Sequence, residues 1–109
     1  MKFRVLKSFA KDLKKIKDQA LLRKVRTIKE DIEGTIDDIE DEDEIPFKLK
    51  DTRKISGSEH AYRIKVNNNY RIGAEIDKER DDSEKKERKI FSLKRFLHRK
   101  DIYNKFPAK

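Results

Sequence analysis

Tyr62-Arg63-Ile64-Lys65-Val66, then Asn67-Asn68-Asn69, then Tyr70-Arg71-Ile72-Gly73-Ala74-Glu75-Ile76 is the stretch that decides the fold. Apolar residues alternate with polar ones on both sides of the asparagines, the period of a strand whose side chains point to opposite faces in turn. A turn-prone triplet this short implies an antiparallel hairpin. Tyr62, Ile64 and Val66 then share one face with Tyr70, Ile72, Ala74 and Ile76. The other face receives Arg63, Lys65 and Arg71, with Glu75 as the one acid near them. A greasy face backed by three cations suits a phosphate-bearing ligand. Taken alone it suits equally well a half-exposed sheet whose cations are merely solvated.

Outward from the hairpin, the chain supplies what the greasy face needs. Phe3 to Lys7 reads as a first strand. Ser8 is placed to cap a helix carrying Phe9, Leu13 and Ile16. Asp18 is placed to cap a second helix, in which Leu21, Val25, Ile28 and Ile32 share a side and Gly34 is the expected terminator. Asp37 to Glu44 reads as a solvated acidic linker, closed by Pro46, and Phe47 to Ser58 as connection. Of the twelve residues from Asp77 to Arg88, eleven are charged, which predicts a long mobile tip. Ile90 to Leu97 has apolar residues on both faces, as in a central strand, and Asp101 to Phe106 forms a short terminal helix ended by Pro107. The expected fold is α+β: an N-terminal strand and a helical hairpin packed on an antiparallel sheet, with a short C-terminal helix and one sheet face left open.

Composition agrees with a single domain over residues 1–109. Only 34% of residues are hydrophobic and 48% are charged, so the core is compact and the surface ionic. The net charge is +8, but residues 30–44 hold ten acids and no bases, leaving +18 on the rest of the chain. A body that basic meets nucleic acid, an acidic protein or an anionic membrane. The chain has no cysteine, which excludes disulfides and thiolate chemistry. Its two histidines, His60 and His98, lie far apart and give a metal no support, and His60 reads as a surface residue without a partner. Neither a signal peptide nor a run of membrane-spanning length is visible, so a soluble cytoplasmic protein is expected.

The first strand, the helical hairpin, Lys54-Ile55-Ser56-Gly57, the Tyr62–Val66 and Tyr70–Ile72 segments, and His98-Arg99-Lys100-Asp101-Ile102-Tyr103 together resemble the RelE/ParE superfamily of toxins from type II toxin–antitoxin systems. The resemblance spans nearly the whole chain. It implies a RelE-like fold and a cognate antitoxin as partner. For members similar to RelE it also implies the ribosome and messenger RNA, with no cofactor and no metal. Such a protein is an endoribonuclease, or mRNA interferase: a ribose 2′-hydroxyl attacks the adjacent phosphorus and leaves a 2′,3′-cyclic phosphate. The resemblance gives catalytic roles to Arg63, Lys65, Arg71, His98 and Tyr103, and RNA contacts to Lys54, Arg95, Arg99 and Lys100. The arginines suit the phosphorane because a planar guanidinium holds two oxygens. Lys65 is a candidate base, and His98 a candidate acid or base because imidazole titrates near neutrality. Tyr103 is placed to stack on a base or to dock the terminal helix. An arginine common at the end of the family's last strand is replaced here by Leu97, which leaves His98 or Arg99 for its role. Members similar to ParE instead inhibit DNA gyrase, and a degenerate toxin would only bind its antitoxin.

Overall fold

The hairpin turn is organised by one asparagine. Asn67 Oδ1 accepts from the backbone N–H groups of Asn69 and Tyr70, both at 2.8 Å, which satisfies two donors that the turn would otherwise leave free. This sets β3 (Ala61–Lys65) antiparallel to β4 (Tyr70–Asp81), with Ile64 opposite Ile72 and Lys65 opposite Arg71. The computed structural model describes residues 1–83 and 86–107. Around the hairpin stand β1 (Lys2–Val5), α1 (Lys7–Lys14), α2 (Gln19–Ile36), α3 (Ile45–Lys48), β2 (Thr52–Lys54), β5 (Lys86–His98) and α4 (Ile102–Lys105). The strand order is β1-β5-β4-β3-β2, antiparallel except that β1 joins β5 in parallel. The architecture is α+β, with the N-terminal helices on one side of the sheet and a short helix at the C-terminus.

Alternation is realised as read. Tyr62, Ile64, Val66, Ile72, Ala74 and Ile76 are buried and meet Phe9, Leu21, Val25, Ile32 and Ile36 from the helices. Asp18 caps α2, accepting from the N–H groups of Ala20 and Leu21 at 3.0 and 3.2 Å. Apolar burial of this kind dominates the folding free energy. A β-bulge follows on β5: Gly73 stands opposite Arg95 but Ala74 opposite Leu93, so Lys94 is the extra residue. A second small cluster, Ile55, Ala61, Leu97, Ile102 and Phe106, lies on the other face of the sheet. The face expected to be open is therefore covered in its middle by α4 and Phe106. The Phe106 ring lies so close over Gly73 that a Cβ there would meet it at 2.8 Å.

Other expectations are corrected. The first strand spans Lys2–Val5, and Leu6, not Ser8, occupies the N-cap of α1; Ser8 Oγ donates instead to the carbonyl of Lys94 at 2.6 Å, tying α1 to β5. Gly34 does not end α2, which continues until Ile36 is buried. The acidic run is not a solvated linker. Ile39 and Ile45 are fully buried and pull it onto the core, and residues Glu42–Glu44 form a single 3-10 turn capped by Asp41. Glu42 accepts from Tyr62 Oη at 3.1 Å and lies 2.9 Å from His60 Nδ1, so His60 has a partner. Burial, and then the Glu42 carboxylate, push the Tyr62 phenol well above its ordinary range.

The connection from Phe47 contains α3 and the edge strand β2. Residues Asp77 to Arg88 belong chiefly to β4 and β5, which continue as a two-stranded ribbon; Glu84 and Lys85 lie outside the described residues. In the ribbon Glu79 stands opposite Arg88 and Arg80 opposite Glu87, so opposite charges hold the register where no apolar face exists. This ribbon draws the molecule out to 44 Å along its longest axis. No helix among the described residues is long and apolar enough to cross a membrane.

Candidate functional site

Three strands build one cationic cleft. Asp51, at φ 56°, takes the left-handed conformation that aspartate tolerates better than most residues and turns the chain from α3 into β2. Its carbonyl accepts from the Lys65 N–H at 3.0 Å, which sets the two residues side by side. Next along, Arg53 pairs with Arg63 across β2 and β3. On the other side of β3, Lys65 pairs with Arg71 and Arg63 with Gly73. Asp51, Arg53, Arg63, Lys65 and Arg71 line a cleft of about 300 Å³ on the sheet face away from the long helices.

Arg71 is held in place. Its Nη1 donates to the carbonyls of Asn67 at 2.6 Å and Tyr70 at 3.0 Å, so the asparagine that shapes the turn also fixes the guanidinium. The Arg63 guanidinium carbon stands 5.7 Å from the centre of the Tyr103 ring, within cation–π reach. Tyr103 is 56% exposed, which leaves ring surface for a ligand. None of Arg53, Arg63, Lys65 and Arg71 is within ion-pair distance of a carboxylate among the described residues. Glu75, the acid expected near them, is taken by Lys94 Nζ at 2.8 Å.

The structure thus brings together Arg63, Lys65, Arg71 and Tyr103. The other expected residues fall elsewhere. His98 stands opposite Tyr70 in the β4–β5 register, while Arg71 stands opposite Leu97, so the sheet separates the imidazole from the cleft. His98 packs edge-on to the Tyr70 ring at 5.6 Å, and its Nδ1 lies 3.2 Å from the Lys100 N–H. Leu97 itself is buried under α4, so no charged side chain occupies that place beside Arg71. Arg95 is bound to Asp12, Nε to Oδ2 at 2.7 Å, and this contact raises its already high pKa. Lys54 stands opposite Tyr62, which puts it on the reverse face from Arg53. Arg99 and Lys100 are exposed in the turn after β5, where the Arg99 N–H donates to Asn69 at 2.7 Å.

Arg53 and Asp51 were not singled out by sequence. The signal is a three-residue strand, too short for alternation to be visible, and only the pairing with β3 gives its arginine a face. A second groove, about 420 Å³, opens on the helix side between α2 and β3 and shares Asp51 and Lys65 with the cleft. Ile32, Leu49, Ile64 and Val66 give it an aliphatic lining, and its lysines, Lys24, Lys48, Lys50 and Lys65, are accompanied by Asp31 and Asp51 and include no arginine. Among the described residues no three His, Asp or Glu side chains gather as a metal site would need.

Compared with known proteins, the chain is 32% identical over 107 residues to Toxin RelE3 of Methanocaldococcus jannaschii, an alignment covering 98% of this chain and 100% of that protein. No family model matches it. No solved structure matches it.

Proposed function

We propose that this chain, which belongs to the RelE family of toxins, stops protein synthesis by cutting messenger RNA on the ribosome and is restrained by an antitoxin made with it. The single observation that carries the cutting activity is the cleft, where four cations held in no ion pair share one small volume with a single carboxylate, Asp51, beside an exposed tyrosine ring. Folding gains nothing from crowding like charges, which cost Coulomb energy until an anion arrives. An RNA linkage is such an anion, and a cationic cleft floored by a sheet is shaped for it.

Each step of transesterification has a group at hand. The 2′ oxygen attacks phosphorus, the bond to the 5′ oxygen breaks, and a cyclic phosphate remains. Arg71, fixed by the turn, and Arg63 stabilise the charge that builds on the phosphorane oxygens. The 2′ proton passes to Asp51, the carboxylate in the cleft, and Lys65 beside it returns a proton to the departing 5′ oxygen. This relieves Lys65 of the role of base and leaves His98, on the far side of the sheet, out of the chemistry. Tyr103 stacks on a neighbouring base. The work takes place in the cytoplasm, where ribosomes are.

A translating lysate tests the reading. Wild-type protein should cut messenger within codons and leave 2′,3′-cyclic ends, and a 2′-deoxy substitution at the cut should block it. If no message is cut and supercoiling by DNA gyrase is inhibited even after Arg63, Lys65 and Arg71 are replaced by alanine, the gyrase reading takes its place.

A further inference from the structure

The cleft is two rows of charge, not one cluster. The first row crosses the sheet as Asp51, Lys65 and Arg71, the second as Arg53, Arg63 and Gly73. Both rows share the cleft wall, and Arg63 and Lys65 alternate on β3, so the rows lie two residues, or about 7 Å, apart along the strand. Adjacent phosphates of a single-stranded RNA are separated by about that distance.

The rows also differ in chemistry. The first contains the groups that can move a proton, Asp51 and Lys65. The second contains two guanidiniums, which hold phosphate in a fixed fork and exchange no proton near neutral pH. Gly73 ends the second row with no side chain, and Tyr103 lies against Arg63 in place of one.

We infer that the cleft takes two successive phosphates of one RNA strand: the linkage to be cut at Asp51, Lys65 and Arg71, and its neighbour in a dedicated clamp formed by Arg53 and Arg63. This rests on the RNA reading above and goes beyond it by giving Arg53 a role and the substrate a minimum length. A substrate with a single phosphate engages only half of the site. Arg53 is a binding residue for the uncut phosphate and touches no reacting atom.

Uncleavable 2′-O-methyl oligonucleotides with one, two and three phosphates provide the test, by calorimetry or by chemical-shift titration at fixed low salt. For wild-type protein, affinity should step up by about tenfold from one phosphate to two, the scale of one good charged contact. It should rise little from two to three. Arg53→Ala should remove that step and leave the one-phosphate ligand unaffected. Arg53→Lys, which keeps the charge and loses the fork, should restore part of it. The slope of log affinity against log salt for the two-phosphate ligand should fall by roughly 0.7 in Arg53→Ala, the single-strand value for one phosphate contact. A step that survives Arg53→Ala, or no step in wild-type protein that binds all three ligands, overturns the second-phosphate site while the RNA reading stands. No binding of any ligand overturns the RNA reading, and this inference with it.

Discussion

Toward one end of the sheet face away from the long helices, Lys94 Nζ stands 2.8 Å from both Glu75 and Asp77, and Arg4 Nη2 reaches the other oxygen of Asp77 at 2.7 Å. Toward the other end, Arg53, Arg63, Lys65 and Arg71 line a cleft whose one carboxylate, Asp51, pairs with none of them. The two ends meet on β4 and are separated by the C-terminal cover over Gly73. In the first, each charge has its counter-charge, so the end is satisfied by the fold. In the second, charge is left over and only an external anion can balance it. Placed side by side they separate the electrostatics of structure from the electrostatics of function.

The largest expected contrast comes from removing one cation at each end. Arg71→Ala should lower cleavage by about 10²–10³-fold, the usual loss of a preorganised electrostatic group. It should cost only about 1 kcal/mol in stability, through the lost hydrogen bonds to the turn carbonyls. Lys94→Met should do the reverse: cleavage within about twofold of wild type, and a loss of about 1–2 kcal/mol, because Glu75 and Asp77 are left together without their shared cation. Cleavage rates beside thermal melts decide it. Equal losses of activity in the two variants would dissolve the distinction between the ends.

The divide between the ends should respond next. In Gly73→Ala a Cβ would press on the Phe106 ring at 2.8 Å, and the ring can retreat only by lifting the C-terminal segment. A loss of about 1–3 kcal/mol is expected, the range for overpacking. Tyr103 sits on that segment, so its contact with Arg63 should loosen as well. Fluorescence of Tyr103, compared between Gly73→Ala and wild type with Tyr62 and Tyr70 replaced by phenylalanine in both, reports this. An unchanged signal would mean that the cover and the cleft are independent.

How far each end was legible in the sequence follows from what holds it. Alternation from Tyr62 to Ile76 fixed the faces of β3 and β4, because one face is buried and a one-residue slip would exchange the two. It therefore placed Arg63, Lys65 and Arg71 correctly, and the family resemblance added Tyr103. Arg53 escaped because β2 is three residues long and shows its face only through β3. His98 was given a role by the family resemblance and not by alternation, and the bulge at Lys94, which no composition signal marks, sets its side chain on the face opposite the cleft. The ribbon after Asp77 was read as a mobile tip because hydrophobic period is the cue for strands, and charge pairs such as Glu79 with Arg88 carry no such period. The acidic run hid its docking in two residues, Ile39 within and Ile45 just after the seven acids from Asp37 to Glu44.

The smallest effect expected is at the extremes of pH, and it touches only the paired end. Burial pushes Asp77 up, but the hydrogen bonds from Lys94 and Arg4 outweigh it and hold the carboxyl below its ordinary value. A depressed carboxyl stabilises the fold above its unfolded pKa of about 3.9, and that contribution is lost as pH falls through the lower folded value. Burial likewise pulls Lys94 down, yet Asp77 and Glu75 raise it overall. Its contribution is full below an unfolded pKa of about 10.4 and is lost as pH rises through the higher folded value. Both groups are partly exposed, so the change should stay within about 1 kcal/mol. The difference in melting midpoint between wild type and Asp77→Asn should therefore hold across neutral pH and close below about pH 4. A difference that persists into strong acid would mean that Asp77 acts through packing, and the paired end would lose its electrostatic reading.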